Sequence, residues 1–475
     1  MKENLKKMIA LLLTGTLLLS GCTANTESAV LTYHSNSQEN NSWTIGFGSQ
    51  EIIYTPAEDE TMYIAGYNNG WEPTDTLDNA KAQAVWLEAN GCSVLLIGID
   101  CVALSSLVVK EIRQKLEPFC KETGCDSVNI YATHSHAGID TFGLWGPLAV
   151  DGKSSGYMQV LIDAAVSAAQ SAEQDKSAGS FRLGQVEADI LRDSRYPYVY
   201  DPNLYQFRFV PEDNTVAGIR MYLYGAHAES MRGDNRIVSR DFPGTLCDII
   251  EQETGDRAMF MPGAIGGLLM TEILLPGTFD AVENMRLTAR TLADLALSIK
   301  PEDETVLSPS IAFARTNFNV PLDNTMFMLM RFLGILENPT VRGESATGYL
   351  LQTELSVLSI DQITIALIPG EIFPELVWGG RYGDANRGAE NPTPLADIAK
   401  QYGRDTLLVI GLANDEIGYI VPPSDFLLNE TAPYLEKTMD FKGENHYEET
   451  NSVGPACAQC IADTLELLLN ALYQQ

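Results

Sequence analysis

Three of the five histidines have the types of neighbours and the spacing that metal or proton chemistry requires. His134, His136 and His227 each follow an apolar run of strand length. Ligands collect at strand ends in α/β sheets. Side chains alternate along a strand, so extended backbone would place His134 and His136 on one side. Imidazole binds metals and exchanges protons near neutral pH, so we expect a metal or acid–base site. A hydrogen-bonded structural pair is the alternative for an isolated His-x-His.

The segments around these histidines alternate between strand-like and helix-like patterns. Apolar runs at 92–100 and 127–134 flank a helical pattern at 102–121, which is typical of a βαβ unit. Further helices are predicted at 158–175, from Asp241 onward, at 284–298 and at 457–473. Further strands are predicted at 181–190, 204–210, 218–227, 258–261 and 406–411, with two more inside 349–370. The predicted fold class is α/β, with mixed β-sheets flanked by helices.

The first 22 residues have the order of a bacterial export signal. A basic start is followed by an apolar run at 8–20 and then by Gly21-Cys22. The run is short for a membrane-spanning helix, and Leu19-Ser20-Gly21-Cys22 resembles the lipobox whose cysteine is lipidated. We therefore expect an extracytoplasmic protein anchored to the bacterial membrane through Cys22. A cleaved signal with an incidental cysteine is the alternative.

Composition divides the rest of the chain into a tether and a body. Residues 23–42 are polar and lack periodicity, as expected of a solvated tether. Residues 43–475 contain no repeat and no low-complexity linker, so we expect one large domain.

Charge restricts the partners. The chain carries 63 acidic and 31 basic residues, a net charge of −32. Such a surface repels polyanions, which excludes nucleic acid as a partner.

The cysteines do not form a disulfide framework. Seven remain after Cys22, an odd number scattered in apolar context. Cys457 and Cys460 lie in a helical pattern without a second matching pair, so we expect core packing and not metal binding.

The histidine segment also carries a family resemblance. Thr133-His134-Ser135-His136-Ala137-Gly138 resembles the Thr-His-Thr-His-Ser-Gly segment of the neutral and alkaline (non-lysosomal) ceramidases, which are zinc amidases. Other similar segments follow in family order: Thr55-Pro56, Ala65-Gly66-Tyr67, 95–100, 194–200, Gly225-Ala226-His227, Asp241-Phe242-Pro243-Gly244, 263–266, Pro369-Gly370-Glu371, 411–414 and Gly418-Tyr419-Ile420. The ordered set carries the resemblance.

The resemblance implies a role for each matching residue. The implied ligands of Zn2+ are His134, His227, Glu371 and Tyr419. Iron and manganese accept the same donors. His136 would face the substrate and assist proton transfer, and Arg195 would hold a substrate oxygen or the developing oxyanion.

Three departures from the family bear on the substrate. The serine of the family's Gly-Asp-Val-Ser-Pro-Asn segment is absent from 263–268, where Gly266 stands in its place, so attack by zinc-activated water is expected without a covalent acyl-enzyme. Ser424-Asp425-Phe426 replaces a Glu-Glu-Tyr. The chain ends at Gln475, soon after the family's catalytic domain. An acyl amide in general is therefore a safer assignment than ceramide.

The leading hypothesis is a zinc-dependent amidohydrolase that cleaves the N-acyl bond of a ceramide-like or other acyl-amide substrate. Tyr419 and Arg195 would stabilise the oxyanion, and Glu371 or His136 would pass a proton to the leaving amine. The alternatives are a zinc esterase or amidase acting on a non-lipid substrate, and a catalytically degenerate lipoprotein that binds a ligand at the cell surface.

Overall fold

A computed structural model describes residues 29–36, 42–272, 279–380, 389–440 and 442–474 of the protein. Cys22 and the export signal lie outside the described residues, so lipidation and localisation stay predictions. The helices are α1 (Ser106–Thr123), α2 (Ser155–Gln174), α3 (Asp241–Thr254), α4 (Ala281–Ser298), α5 (Thr325–Phe332), α6 (Pro374–Trp378), α7 (Leu395–Gln401) and α8 (Cys457–Tyr473). Short 3-10 turns span Pro301–Asp303, Pro423–Asp425 and Glu448–Asn451.

The strands are numbered in chain order. They are β1 (Leu31–His34), β2 (Trp43–Glu51), β3 (Asp75–Thr76), β4 (Lys81–Ala89), β5 (Cys92–Ile99), β6 (Ser127–Ala132), β7 (Ser177–Glu187), β8 (Leu191–Arg192), β9 (Asn203–Pro211), β10 (Ile219–Tyr224), β11 (Ile237–Val238), β12 (Arg257–Pro262), β13 (Met270–Thr271), β14 (Thr305–Leu307), β15 (Ile311–Pro321), β16 (Thr340–Arg342), β17 (Tyr349–Ile360), β18 (Ile363–Leu367), β19 (Glu371–Ile372), β20 (Thr406–Ile410), β21 (Tyr419–Ile420), β22 (Thr438–Met439) and β23 (Asn445–His446).

Two mixed sheets form the centre of the molecule. The nine-stranded sheet has the order β12-β10-β9-β7-β2-β4-β5-β6, with β14 paired to β7. Its β5–β6 and β10–β12 pairs are parallel. The six-stranded sheet has the order β1-β15-β17-β18-β20, with β16 paired to β17, and its β18–β20 pair is parallel. The α/β prediction with mixed sheets and flanking helices is confirmed.

The two sheets pack face to face, and helices cover their outer faces. One apolar cluster joins Phe47 and Phe207 of the larger sheet to Phe313 and Leu358 of the smaller one. Helices α1 and α2 pack on one part of the larger sheet, α3 and α4 pack on another, and α7 and α8 cover the smaller sheet. A strand that is covered on both faces is expected to be almost wholly apolar. All eight residues of β5 are buried, and all of them except Ser93 are apolar.

The predicted elements appear with small shifts of their ends. For example, the helix predicted at 457–473 is α8, and the strands predicted at 92–100 and 127–134 are β5 and β6. The tether prediction is wrong at Leu31–His34, which pairs antiparallel with β15 because the edge of the smaller sheet offers free backbone hydrogen bonds. Within the described residues, no helix has the length and apolarity needed to cross a membrane.

The cysteine prediction holds for the seven described cysteines. None of them is in a disulfide. Cys457 is buried in the apolar cluster beneath α8, and Cys460 packs against the same cluster.

Candidate metal centre

His134 reaches the site through a turn and not through strand geometry. β6 ends at Ala132, and His134 has a φ of 65°, in the left-handed region. The amides of Ser135 and His136 hold the turn by donating to the carbonyls of Cys101 (3.2 Å) and Ala228 (2.9 Å). His134 and His136 do line the same cleft, but a left-handed turn and not the predicted extended backbone brings them there.

Glu371 and Tyr419 lie side by side because their strands are paired. β19 and β21 form a short parallel ladder in which Glu371 is directly opposite Tyr419. Residues opposite each other in a ladder project to the same face. His227 follows β10, and its amide donates to the carbonyl of Leu269 over 2.8 Å. Four chain segments that are distant in sequence thus meet at one point.

The imidazoles and the carboxylate of Glu371 are in close contact. The ring centroids of His134 and His227 are 4.9 Å apart. Glu371 Oε2 lies 2.9 Å from His227 Nε2 and 3.5 Å from His134 Nε2. All three side chains are buried.

The hydrogen bonds on the far side of each ring determine what the near side can do. His134 Nδ1 lies 2.7 Å from the carbonyl oxygen of Val102, and His227 Nδ1 lies 3.1 Å from that of Leu269. A carbonyl only accepts, so each Nδ1 carries a proton and each neutral ring turns an Nε2 lone pair towards Glu371. Lone pairs that face a buried carboxylate require a cation or an added proton between them. Metal-binding histidines are oriented in this way, so the residues fit a metal ion.

Charges in the cluster shift the pKa values of Glu371 and His227, in each case towards the charged form of the group. Burial alone would raise the pKa of Glu371, but the neighbouring His134 and His227 hold it well below its usual range. Burial alone would lower the pKa of His227, but the hydrogen bond to Glu371 and its charge raise it. Two imidazoles with a carboxylate suit zinc and other first-row ions.

His136 forms the third corner of the cluster. Its Nε2 lies 3.0 Å from His134 Nε2, and the three imidazoles each offer one ligand atom within 4.8 Å of the others. Burial, and then the neighbouring His134 and His227, lower the pKa of His136 well below its ordinary value, so the ring is neutral. The position therefore accommodates a metal ligand as well as the predicted contact with substrate.

Two tyrosines border the cluster. Tyr419 is buried, and its phenol hydrogen-bonds to that of Tyr447. Burial and then the charge of Glu371 raise the pKa of Tyr419 well above its ordinary value. In the absence of a metal, Tyr419 is thus a neutral donor at the edge of the cleft.

Arg195 does not reach the cleft. Its guanidinium pairs with Glu448 and donates to the carbonyls of Ser194 (2.9 Å) and Asn445 (2.6 Å). The guanidinium carbon lies 5.9 Å from the ring centroid of Tyr447, which does line the cleft. Arg195 therefore lies behind the wall that Tyr447 forms, and its contact with a substrate oxygen stays a prediction.

Gly266, which stands where the family has a serine, lies very close to the backbone of a neighbouring strand. A Cβ atom at Gly266 would lie 2.5 Å from the amide nitrogen of Phe373 and 2.6 Å from the carbonyl carbon of Ile372. The amide of Gly266 donates to the carbonyl of Ile372 over 2.9 Å. Gly266 thus lets the loop approach the strand that begins with Glu371.

A cleft of about 640 Å³ opens above the cluster. Apolar side chains form much of its wall, among them Val102, Phe142, Leu144, Trp145, Phe327, Leu336 and Leu351. Asp140 holds the 142–145 part of this wall, because its carboxylate accepts from the amides of Phe142 (2.9 Å), Gly143 (2.7 Å) and Trp145 (2.8 Å).

Sequence reasoning missed several polar residues of the cleft. These are Tyr67, Glu229, Arg232, Glu416 and Tyr447. Glu229 accepts from the Tyr67 hydroxyl and lies 3.8 Å from His136 Nδ1. Only its place two residues after His227 could have pointed to it. Tyr67 lies in the family-like segment Ala65-Gly66-Tyr67, although no role was predicted for it, and the other three follow no motif that spacing reveals.

Comparison with known proteins identifies the fold. No family model matches the chain, and no curated protein matches it. Among solved structures, it is similar to neutral ceramidase from Pseudomonas aeruginosa, with a TM-score of 0.68 and 16% identity over 92% of this chain and 75% of that one. It is also similar to a structure described as ceramidase complexed with C2, with a TM-score of 0.67 and 15% identity over 92% of this chain and 76% of that one. The chain therefore has the neutral ceramidase-type fold that its sequence segments predicted.

Proposed function

We propose that this protein is a zinc-dependent amidohydrolase that releases an acyl group from a ceramide-like or other acyl-amide substrate. The observation that supports it most strongly is the convergence of His134, His227 and Glu371, with metal-binding orientation, at the base of an apolar cleft. The two structural neighbours are described as ceramidases, which agrees with this reaction class.

His134, His227, Glu371 and Tyr419 would hold the ion, as the family resemblance implies. When bound, zinc would polarise the acyl carbonyl and lower the pKa of a water molecule to about 7. The two backbone carbonyls behind the imidazoles keep the Nε2 atoms aimed at the ion. The cluster is buried, so these electrostatic interactions are weakly screened.

The apolar wall explains why an acyl chain is the proposed substrate group. Phe142, Trp145 and Phe327 line the cleft beside the histidines. Each buried methylene of an acyl chain contributes roughly 0.8 kcal/mol to binding. A chain along this wall would leave its carbonyl carbon at the polar end of the cleft.

Hydrolysis needs donors for the carbonyl oxygen and a proton for the nitrogen. Water oxygen bonds to the acyl carbon, the C–N bond breaks, and the amine leaves after taking a proton. Tyr419, beside the ion, and Arg232, a cation that lines the cleft, would stabilise the oxyanion. Arg232 would thus take the role predicted for Arg195. His136 is neutral and can accept a proton from water and return it to nitrogen.

The N-terminal segment and the net charge bear on where the protein acts and what it binds. The lipobox-like segment would anchor the protein outside a bacterial membrane through Cys22, which brings an enzyme for lipid amides close to its substrate. The net charge of −32 opposes binding to nucleic acid.

The first experiment measures metal and activity in one sample. Protein beginning after Cys22 is analysed by metal mass spectrometry and assayed with a short-chain fluorescent N-acyl sphingosine and a matched N-acyl amino acid. We expect about one zinc per chain and hydrolysis of at least one substrate. Protein without zinc, and with none taken up on addition, would favour a non-catalytic binding protein. Zinc with ester hydrolysis alone would favour the esterase.

Single variants separate the roles of the histidines. His134→Ala and His227→Ala should lose both zinc and turnover, whereas His136→Ala should keep zinc and lose turnover. His34→Ala, on the exposed edge strand β1, is the matched control and should change neither. Zinc loss in His136→Ala equal to that in the other two would make His136 a ligand.

A further inference from the structure

A second group of buried acids lies outside the cleft. Glu375 is the second residue of the short helix α6, and Asp425 is the last residue of a 3-10 turn. Glu448 and Glu449 are the first two residues of another 3-10 turn. All four are at most 2% exposed. We call these four residues the acidic cluster. Acidic side chains are rarely buried without a compensating partner.

Two of the four acids, Glu375 and Asp425, have no such partner among the described residues, whereas Glu449 accepts through its Oε1 from the amide of Leu427 over 2.9 Å. Both carboxylate oxygens of Glu375, both of Asp425 and Oε2 of Glu449 accept no hydrogen bond there. Glu448 alone pairs with a guanidinium, that of Arg195. A buried carboxylate without a partner costs several kcal/mol, so it must be protonated or neutralised by a cation.

The acids repel one another in addition to being desolvated. Burial first, and then the charges of Glu449, Glu375 and Glu448, raise the pKa of Asp425 to about 9. Burial raises the pKa of Glu375 to about 8. The single guanidinium of Arg195 cannot neutralise four carboxylates, so the cluster needs protons or a further cation.

The spacing of donor atoms suits a metal ion. His446, Glu448 and Glu449 each offer one ligand atom, and these atoms lie within 4.8 Å of one another. Ca2+ takes oxygen ligands at about 2.3–2.6 Å, so oxygens on opposite sides of the ion are about 4.6–5.2 Å apart. The carboxylates of Glu448 and Glu449 are close enough to share such an ion, and the imidazole of His446 lies beside them without being counted as a ligand of Ca2+. His446 Nδ1 is 3.0 Å from Glu449 Oε1, which orients the carboxylate and leaves Oε2 available.

We propose that the acidic cluster binds a hard divalent cation, Ca2+, at a site distinct from the candidate zinc centre. Carboxylates from separate loops are the ligands that Ca2+ prefers, and Ca2+ tolerates irregular geometry better than Mg2+ does. Several unpartnered buried oxygens supply the negative charge that such a site requires.

The cluster is connected to the zinc centre through the backbone. Glu375 is four residues after Glu371, Asp425 is six residues after Tyr419, and Glu448 directly follows Tyr447. A cation at the cluster would therefore tie together the three segments that carry these cleft residues. Its function is to hold the wall of the cleft in position.

The test uses the zinc-loaded protein that begins after Cys22, in calcium-free buffer at pH 8. Calcium is titrated while heat of binding and thermal unfolding are recorded. We expect saturable binding of about one Ca2+ and a rise in Tm of at least about 3 °C at saturation. Zinc is measured by mass spectrometry in the same samples and should stay constant.

Asp425→Asn and Glu375→Gln should each abolish the calcium-dependent rise in Tm while zinc content is retained. Glu354→Gln is the matched control, because this partly buried acid is already paired with Arg113 through two contacts of 2.8 Å. It should keep the calcium response.

Two results would overturn the proposal. One is the absence of calcium binding and of any Tm shift in the unaltered protein, which needs no variant to fold. In that case a higher Tm of Asp425→Asn in calcium-free buffer would show that protons, and not a cation, neutralise the buried acids. The other is a calcium response that survives both cluster substitutions.

Discussion

Replacing Gly266 by serine tests how the site depends on close backbone approach. Restoring the serine that the family carries would seem a harmless probe from sequence alone. The structure indicates otherwise, because the new Cβ would lie 2.5 Å from the amide nitrogen of Phe373, whereas ordinary contact begins at 3.4 Å. The strand that begins with Glu371 must therefore move by about 0.9 Å.

The expected magnitude follows from this displacement. Overpacking against backbone costs about 1–3 kcal/mol of unfolding free energy. A shift of about 1 Å at a catalytic group costs roughly 10²-fold in rate. We therefore expect Gly266→Ser to lower kcat/KM by about two orders of magnitude and to weaken zinc retention, because Glu371 moves away from His227 and His134.

The assay compares zinc per chain, Tm and hydrolysis of the fluorescent N-acyl sphingosine in the two proteins. Gly138→Ser is the control, because a Cβ there meets no atom closer than 3.5 Å. Unchanged zinc and turnover in Gly266→Ser would refute the steric reasoning. A large gain on ceramide would show that the serine was the missing catalytic part.

Three further changes probe other parts of the site. Gly66→Ala should lower kcat about 10²-fold and retain zinc, because its Cβ would lie 2.7 Å from His136 Cβ; zinc loss in mass spectrometry would contradict this. Asp140→Ala should raise KM for long-chain amides about tenfold with little change in kcat, since three hydrogen bonds to the apolar wall are lost at ~1 kcal/mol each; steady-state kinetics over a series of chain lengths checks it. Asp415→Asn tests pH dependence. Burial raises the pKa of Asp415 to about 6, so its contribution to stability is complete below pH ~4 and is lost as pH rises through about 6. Urea unfolding should show the variant gaining about 1.3 kcal/mol on the unaltered protein between pH 5 and 7, and parallel profiles would disprove the assignment.

Local patterns predicted the regular elements well where periodicity was strong. The helix at 457–473 coincides with α8, and the strand at 406–411 ends one residue early as β20. The strands Lys81–Ala89 and Ile311–Pro321 were not predicted. Their burial depends on partners far away in sequence, and β15 acquires its register from β17 over eleven residue pairs. Such pairing leaves little local signal.

Short motifs in the sequence identified part of the candidate site. His134, His136, His227, Glu371 and Tyr419 could be named because they lie in segments that resemble a family, and the fold brings all five to one cleft. Arg195 was named for the same reason, yet its pairing with Glu448 turns it away from the cleft. Glu229 and Tyr447 belong to no recognisable motif, so only the assembled cleft reveals them.

The sequence by itself determined the fold class, the position of the main helices and strands, and the residue types available for metal chemistry, because these depend on periodicity and short motifs. The tertiary structure alone decided which of those residues meet. A left-handed turn at His134, the β19–β21 pairing that sets Glu371 beside Tyr419, and the burial of unpaired acids at Glu375 and Asp425 arise from contacts between distant segments. Their physical cause is the packing of two sheets and their loops, which no local pattern encodes.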